Sequence, residues 1–285
     1  MLEIAQQIFN GLVIGSVYVL IALGLTVIFG ILGVAHFAHG SVAMFGGYLT
    51  FFLSQSLGLS FFPAMLAAMP VGALLGAVIE RLAYRPVRDD PHINAFIIAL
   101  GLTMLIEKCN LLLFGADQIV VQTPYRRVFD IGGLAVAELR LYVLATAIAL
   151  VVLMALLINR TRIGKAVRAV AQNRPAAILM GVDVERVSAV VFALSSSLGV
   201  AAGALVGALF AVAPGVGENL VVKGFAVLIL GGLGSFTGAI VGGLLLGVSE
   251  TLAAGLISSA YKDVVAFLVM ILVLLFKPEG LLNRK

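Results

Sequence analysis

The chain has 285 residues, 62% of them hydrophobic and only 11% charged, with a mean hydropathy of +1.17. Soluble domains carry about a quarter charged residues, so this composition excludes a water-soluble globular protein. The formal net charge is only +4, and no basic patch alternates with aromatic residues as a nucleic-acid surface would.

The expected fold is therefore an all-α polytopic membrane protein. About eight transmembrane segments of roughly 20 residues each would use most of the length, leaving a single transmembrane domain over 1–285 and no room for a soluble one. The start, MLEIAQQIFNGL, has neither a basic n-region nor a small-residue cleavage site, so no cleaved signal peptide is expected. The one cysteine, Cys109, cannot form an internal disulfide.

Taken in chain order, hydrophobic spans read at about 8–32, 37–57, 61–80, 93–114, 140–158, 187–212, 222–254 and 262–277. The first two are joined by FGILGVAHFAHGSVAMFGGYL, Phe29 to Leu49, which sets His36 and His39 among five glycines. A spanning segment must satisfy its backbone polar groups internally. Helix-loosening glycines and titratable rings here suggest a broken helix beside a polar path, with His36, His39, Gly40 and Ser41 as path residues. The alternative is that both histidines bond to neighbouring helices.

Three basic clusters hold 12 of the 18 Lys and Arg residues: Arg81, Arg85 and Arg88; then Arg160, Arg162, Lys165, Arg168, Arg174 and Arg186; then Lys277, Arg284 and Lys285. The positive-inside rule assigns them to the cytoplasm. The N-terminus and the loop 115–139 then lie outside, although that loop carries Arg126 and Arg127. Parity requires 222–254 to cross the membrane zero or two times. Its run VLILGGLGSFTGAIVGGLLLG fits a break or a hairpin dipping into the membrane, which adds Gly231, Gly232 and Gly234 to the path candidates. The pattern G-x-L-G at 29–33 and at 230–234 raises a two-half internal repeat.

Charges inside apolar spans are suspects by default. Glu250 joins the path candidates on this ground, against an ordinary hydrogen bond to a neighbouring helix. Glu107 and Lys108 are adjacent, do not share a helix face, and are expected to snorkel outward.

The segment 159–186, NRTRIGKAVRAVAQNRPAAILMGVDVER, is too polar to span and reads as two short amphipathic helices under the membrane. Asn173 and Pro175 separate them and Gly181 ends the second. It either rests on lipid headgroups or docks a cytoplasmic partner through the apolar knob Ile178, Leu179 and Met180. No phosphate loop is present: Gly164-Lys165 lacks both the preceding glycine and the following Ser or Thr. Three histidines give no metal constellation, and nothing supports catalysis. An ion-coupled carrier built on a Glu250 proton relay is the competing transport mechanism.

The stretches 11–48, 164–182 (GKAVRAVAQNRPAAILMGV) and 225–250 (FAVLILGGLGSFTGAIVGGLLLGVSE) resemble the permeases of branched-chain amino-acid ABC importers, the shorter H-type subunit. The resemblance implies a multi-pass protein of the bacterial inner membrane, paired with a second permease (M-type or a second copy). It also implies two ATPase subunits that hydrolyse the ATP and a periplasmic substrate-binding protein, with no cofactor on this chain. The middle block would be the coupling loop, engaging the ATPase through Gly164, Lys165, Arg168, Ala169, Asn173, Ala176, Ala177, Met180 and Gly181. The family commonly has Asn-Phe-Ala-His-Gly-Glu where this chain has His36-Phe37-Ala38-His39-Gly40-Ser41. The substrate stays open among branched-chain amino acids, other amino acids, short amides and urea.

Overall fold

The computed structural model describes residues 1–213, 215–277 and 279–282; Arg284 and Lys285 of the third basic cluster lie outside them. The helices are α1 (Leu2–Leu32), α2 (His39–Leu57), α3 (Phe61–Ile79), α4 (His92–Phe114), α5 (Glu138–Arg160), α6 (Arg162–Gln172), α7 (Arg174–Leu179), α8 (Val184–Leu209), α9 (Val216–Gly231), α10 (Phe236–Leu256) and α11 (Lys262–Phe276). A π-helical turn, Glu80–Tyr84, and a 3-10 turn, Arg85–Val87, extend α3. An antiparallel hairpin of β1 (Val128–Ile131) and β2 (Leu134–Ala137) precedes α5.

Seven helical segments among the described residues are long and apolar enough to cross a membrane; α2 and α9 are not among them. The span expected over 222–254 is two helices, α9 and α10, broken at 232–235. The break is a tight turn that needs glycine, since Gly232 has φ 102° and Gly234 φ 79°.

Ion pairs define one end of the bundle. Arg85 reaches Glu185 at 2.9 Å and Arg174 reaches Asp89 at 3.0 Å, bringing the first two basic clusters onto one face. At the other end Gln6 exchanges hydrogen bonds with the Ala135 backbone (2.9 and 3.1 Å), tying the start of α1 to the β-hairpin. The glycine turn at 232–235 lies at the basic end, so it is a helix-to-helix corner and not a dip into the membrane: α10 runs back along α1 from there until Gly255 meets Gln7.

Two helices form the centre. In the most apolar window of α1, 83% of residues are buried, and in that of α8, 72%, against 17% for α4, 22% for α5 and none for the terminal span. An all-apolar helix is stable only when surrounded, and glycines allow the surrounding helices to come close. Gly11 and Gly15 of α1 face Gly243 and Gly247 of α10; a Cβ on Gly15 would lie 2.7 Å from the Gly243 carbonyl oxygen. Gly72 and Gly76 of α3 face Phe192, Ser196 and Val200 of α8 in the same way.

These contacts reveal an inverted repeat. α3 is antiparallel to α8 and α10 is antiparallel to α1, while α2 runs parallel to α8 and α9 parallel to α1. The units α1–α4 and α8–α11 thus have the same order and opposite sense, with links 33–38 and 210–215 of equal length. The sequence match of 29–33 with 230–234 pairs the end of α1 with the end of α9, which the symmetry does not relate. It reflects two glycine-rich helix ends on one face.

The half-helices α2 and α9 start inside the bundle and run to opposite ends. Their starts meet: a Cβ on Gly217 would lie 2.6 Å from the Gly40 carbonyl oxygen. His39, the first residue of α2, lies between Gly24 of α1 and Gly199 of α8, well away from either end of α8.

A Cβ on Gly203 of α8 would collide with the Ala43 carbonyl of α2. Gly203→Leu is expected to lower stability by about 1–3 kcal/mol through overpacking. Gly101→Leu, where a Cβ has no neighbour within 4 Å, is expected to leave it unchanged. Thermal unfolding of the two detergent-solubilised variants checks the contrast.

Candidate functional site

The eight path candidates fall into three places. The first is a polar layer at the start of α2. His36 Nδ1 lies 2.7 Å from the Tyr84 hydroxyl, and its ring also meets Phe192 edge-on with centroids 5.4 Å apart. His39 is fully buried, its ring enclosed by the backbones of Gly24 and Gly199, where added Cβ atoms would lie 2.6 and 2.9 Å from it. Neither nitrogen of His39, nor His36 Nε2, nor the Ser196 hydroxyl has a partner among the described residues. The glycines around His39 therefore clear a slot for the imidazole between α1 and α8. Gly40 and Ser41, one step on, face outward toward α9 and α4: Ser41 Oγ donates to the Thr103 carbonyl at 3.3 Å, and Asn110 Nδ2 donates to the Ser41 carbonyl at 3.3 Å.

The second place is a charged network around Glu250. Tyr18 donates its hydroxyl to Glu250 Oε2 at 2.9 Å, Lys223 Nζ pairs with Glu250 Oε1, and the same ammonium reaches Asp263 Oδ1 at 2.6 Å. Lys223 Nζ also sits 5.5 Å from the Tyr18 ring centroid, a cation–π contact. The group lines a pocket of about 330 Å³ with Asn219 and Lys262. Lys223 interrupts the apolar run VVKGFAV, so it carried the same signal as Glu250 and was missed. Tyr18 and Tyr84 carried none, because a tyrosine in an apolar helix reads as core.

The third place is the basic end, which holds Gly231, Gly232 and Gly234. Gly231 packs on Gly238, and the terminal stretch closes over α9: Leu281 N–H donates to the Leu230 carbonyl at 2.9 Å and Leu282 N–H to that of Gly231 at 3.3 Å. These glycines do not share a site with His39 or Glu250. On α4, Lys108 bends back to Glu107 at 3.5 Å; the expectation that adjacent residues would not meet overlooked the reach of the lysine chain.

The basic face carries the two expected short helices. Thr161 Oγ1 caps α6 by accepting from Gly164 N–H, and Asn173 Oδ1 caps α7 by accepting from Ala176 N–H, both at 3.0 Å. Gly181, at φ 80°, ends the pair. The coupling candidates divide. Lys165, Asn173, Ala176, Met180 and Gly181 are exposed, Arg168 and Ala169 are half-buried, and Gly164 and Ala177 are buried. Gly164 packs on the carbonyls that end α5, and Arg168 donates to one of them, that of Ile158. The knob stands out: Leu179 is 87% and Met180 84% exposed. On the same face, the carboxylate of Glu80, fully buried, holds both Arg85 and Arg88.

Lys223→Met leaves Glu250 with the Tyr18 hydroxyl and without its cation, beside the Asp263 carboxylate. Removing one partner of a buried pair costs about 3–5 kcal/mol, so a loss near the lower figure is expected. Adding Glu250→Gln should recover at least half of it. A double-mutant cycle by thermal unfolding checks the coupling.

Residues 7–274 match the family described as branched-chain amino acid transport system / permease component. The high-affinity branched-chain amino acid transport system permease protein LivH of Salmonella typhimurium is 36% identical over 98% of this chain and 95% of its own length. BraD of Pseudomonas aeruginosa, with the same description, is 36% identical over the same shares. Among solved structures, PsaBC from Streptococcus pneumoniae in complex with Fab superposes with a TM-score of 0.50 at 14% identity, covering 95% of this chain and 91% of that one; this supports the fold alone. The family is one of transport permeases and not of enzymes. With the apolar multi-pass bundle and a family match spanning nearly its whole length, this chain belongs to the branched-chain amino-acid transport system permeases.

Proposed function

We propose that this chain is the translocating subunit of an ABC importer for branched-chain or related neutral amino acids in a bacterial inner membrane. It works beside a second permease, M-type or a second copy, with two ATPase subunits hydrolysing ATP in the cytoplasm and a periplasmic binding protein delivering substrate. The basic end is cytoplasmic under the positive-inside rule, and the β-hairpin end faces the periplasm.

The observation that carries this reading is the knob of Ile178, Leu179 and Met180, exposed on a helix pair braced to the bundle. A loose basic loop on lipid headgroups would need no such bracing. Here Arg174–Asp89 and Arg85–Glu185 tie α7 and the start of α8 to the end of α3. A push on α7 is therefore delivered to α3 and α8, the two helices that hold α2. Within the bundle, Glu250 is already paired with Lys223 and Tyr18, which leaves an ion-coupled relay without a free carboxylate there.

Cysteine substituted at Leu179 is expected to crosslink to the ATPase in membranes; Ala177, only 4% exposed, is a poor probe. Leu179→Asp is expected to lower uptake and substrate-stimulated ATP hydrolysis at least tenfold at unchanged membrane abundance. Labelling of the Leu179 cysteine from the periplasm of intact cells would reverse the topology. Uptake of leucine, glutamate and urea in a deletion strain, with and without the gene restored, decides the substrate class.

A further inference from the structure

α1 is enclosed through most of its length, but its last turn, Phe29 to Leu32, is only half-buried. That turn borders a cavity of about 360 Å³ at the basic end, walled on its other sides by α6, α7, the start of α8 and the link from α3 to α4. Arg88, Arg174 and His92 line the cavity, and among the described residues no carboxylate does. The Arg88 side chain is 8% exposed and spends one donor on Glu80; Arg174 spends one on Asp89, which points out to solvent. Arg174 Nε is buried and has no partner among the described residues. The carbonyls that end α1 are natural acceptors for a cation, yet neither arginine donates to one. Two glycines keep the space open. A Cβ on Gly30 would meet only the Ala171 Cβ, and one on Gly33 only the His92 ring, each at 3.8 Å.

The cavity thus joins guanidinium groups with unspent donors to an uncovered apolar turn at the membrane surface. Arginines bind phosphate oxygens through charge-assisted, often paired, hydrogen bonds, and basic pockets between membrane helices on the cytoplasmic side suit anionic headgroups. A free phosphate would satisfy the arginines and leave Phe29 and Ile31 uncovered. A zwitterionic lipid would bring its own cation against them. We infer that the cavity holds the phosphate of an anionic phospholipid of the cytoplasmic leaflet against Arg88 and Arg174, with an acyl chain along Phe29 and Ile31. The site depends on the basic end being cytoplasmic and not on which substrate is carried. Bound there, the lipid joins α7, through Arg174, to the end of the central helix α1.

The test uses the complete complex, with ATPases and second permease, delipidated in detergent and then offered phosphatidylglycerol, phosphatidylcholine or inorganic phosphate. Native mass spectrometry counts the lipids that stay bound. Wild type is expected to hold one firmly bound phosphatidylglycerol per copy of this chain more than Arg174→Gln does, and to prefer it at least fivefold over phosphatidylcholine. Asp89→Asn, which breaks the surface ion pair but spares the cation, is expected to keep the lipid. Gly30→Leu, which fills the cavity and leaves the charges in place, is expected to lose it. Equal retention by wild type and both Arg174→Gln and Gly30→Leu at equal assembly, or equal retention of the two lipids, overturns the site. Loss in Arg174→Gln with none in Gly30→Leu puts the anion outside the cavity and also overturns it. Displacement of phosphatidylglycerol by millimolar inorganic phosphate overturns the lipid as the ligand. If either Arg174→Gln or Gly30→Leu does not assemble, the other decides.

Discussion

The structure turns on the contact between Gly40 and Gly217, where two helices begin in the interior of an apolar bundle. A helix start leaves backbone donors unpaired, and inside a membrane protein such a start is tolerated only against protein or a wet cavity. Everything around the contact answers that demand. α1 and α8 are apolar and glycine-bearing along their length, so that α2, α3, α9 and α10 can pack closely on them. The polar groups near the start of α2 are paired: His36 with Tyr84, Ser41 with Thr103, and Asn110 with the Ser41 backbone.

Much of the fold was legible because its signals are local. Apolar runs located the helices to within a few residues. The caps Thr161 and Asn173 and the left-handed Gly181 are short-range devices, so the two surface helices could be read from composition and punctuation. The parity of basic clusters required 222–254 to cross zero or two times, and the glycine run marked the break, whose positive φ values Gly232 and Gly234 supply. The inverted repeat was not legible. It equates helices by direction and packing, and residues that fill equivalent places, such as Gly72 against α8 and Gly243 against α1, share only smallness.

The site was legible in part. A charge or an imidazole in an apolar run marks an unusual position but not its neighbours. His39 and Glu250 were marked correctly as unusual, yet one is sealed between two glycines and the other is held by a lysine 27 residues away. Tyr18 and Lys223 meet Glu250 from α1 and α9, elements far from it in sequence. Long-range pairing between helices is the information that spacing along one helix does not carry.

The repeat is symmetric in its backbone and asymmetric in its chemistry, and this divides the labour. α2 is fixed by burial, its first turn plugged by the His39 ring and pressed on α8 through Gly46 and Gly203. α9 is fixed by charge, Lys223 tying it to α10 through Glu250 and to α11 through Asp263. α2, α3 and α8 thus form one packed group, and α1, α9, α10 and α11 another, so each central helix serves the half-helix of the opposite repeat. The surface helix α7 is pinned to the first group by Arg174–Asp89, whereas Leu281 and Leu282 pin the terminal stretch to α9 in the second. The two groups meet along α1 and α8, where Ser195 Oγ donates to the Gly24 carbonyl at 3.0 Å, and again at the starts of their half-helices, where the Gly40 and Gly217 backbones touch.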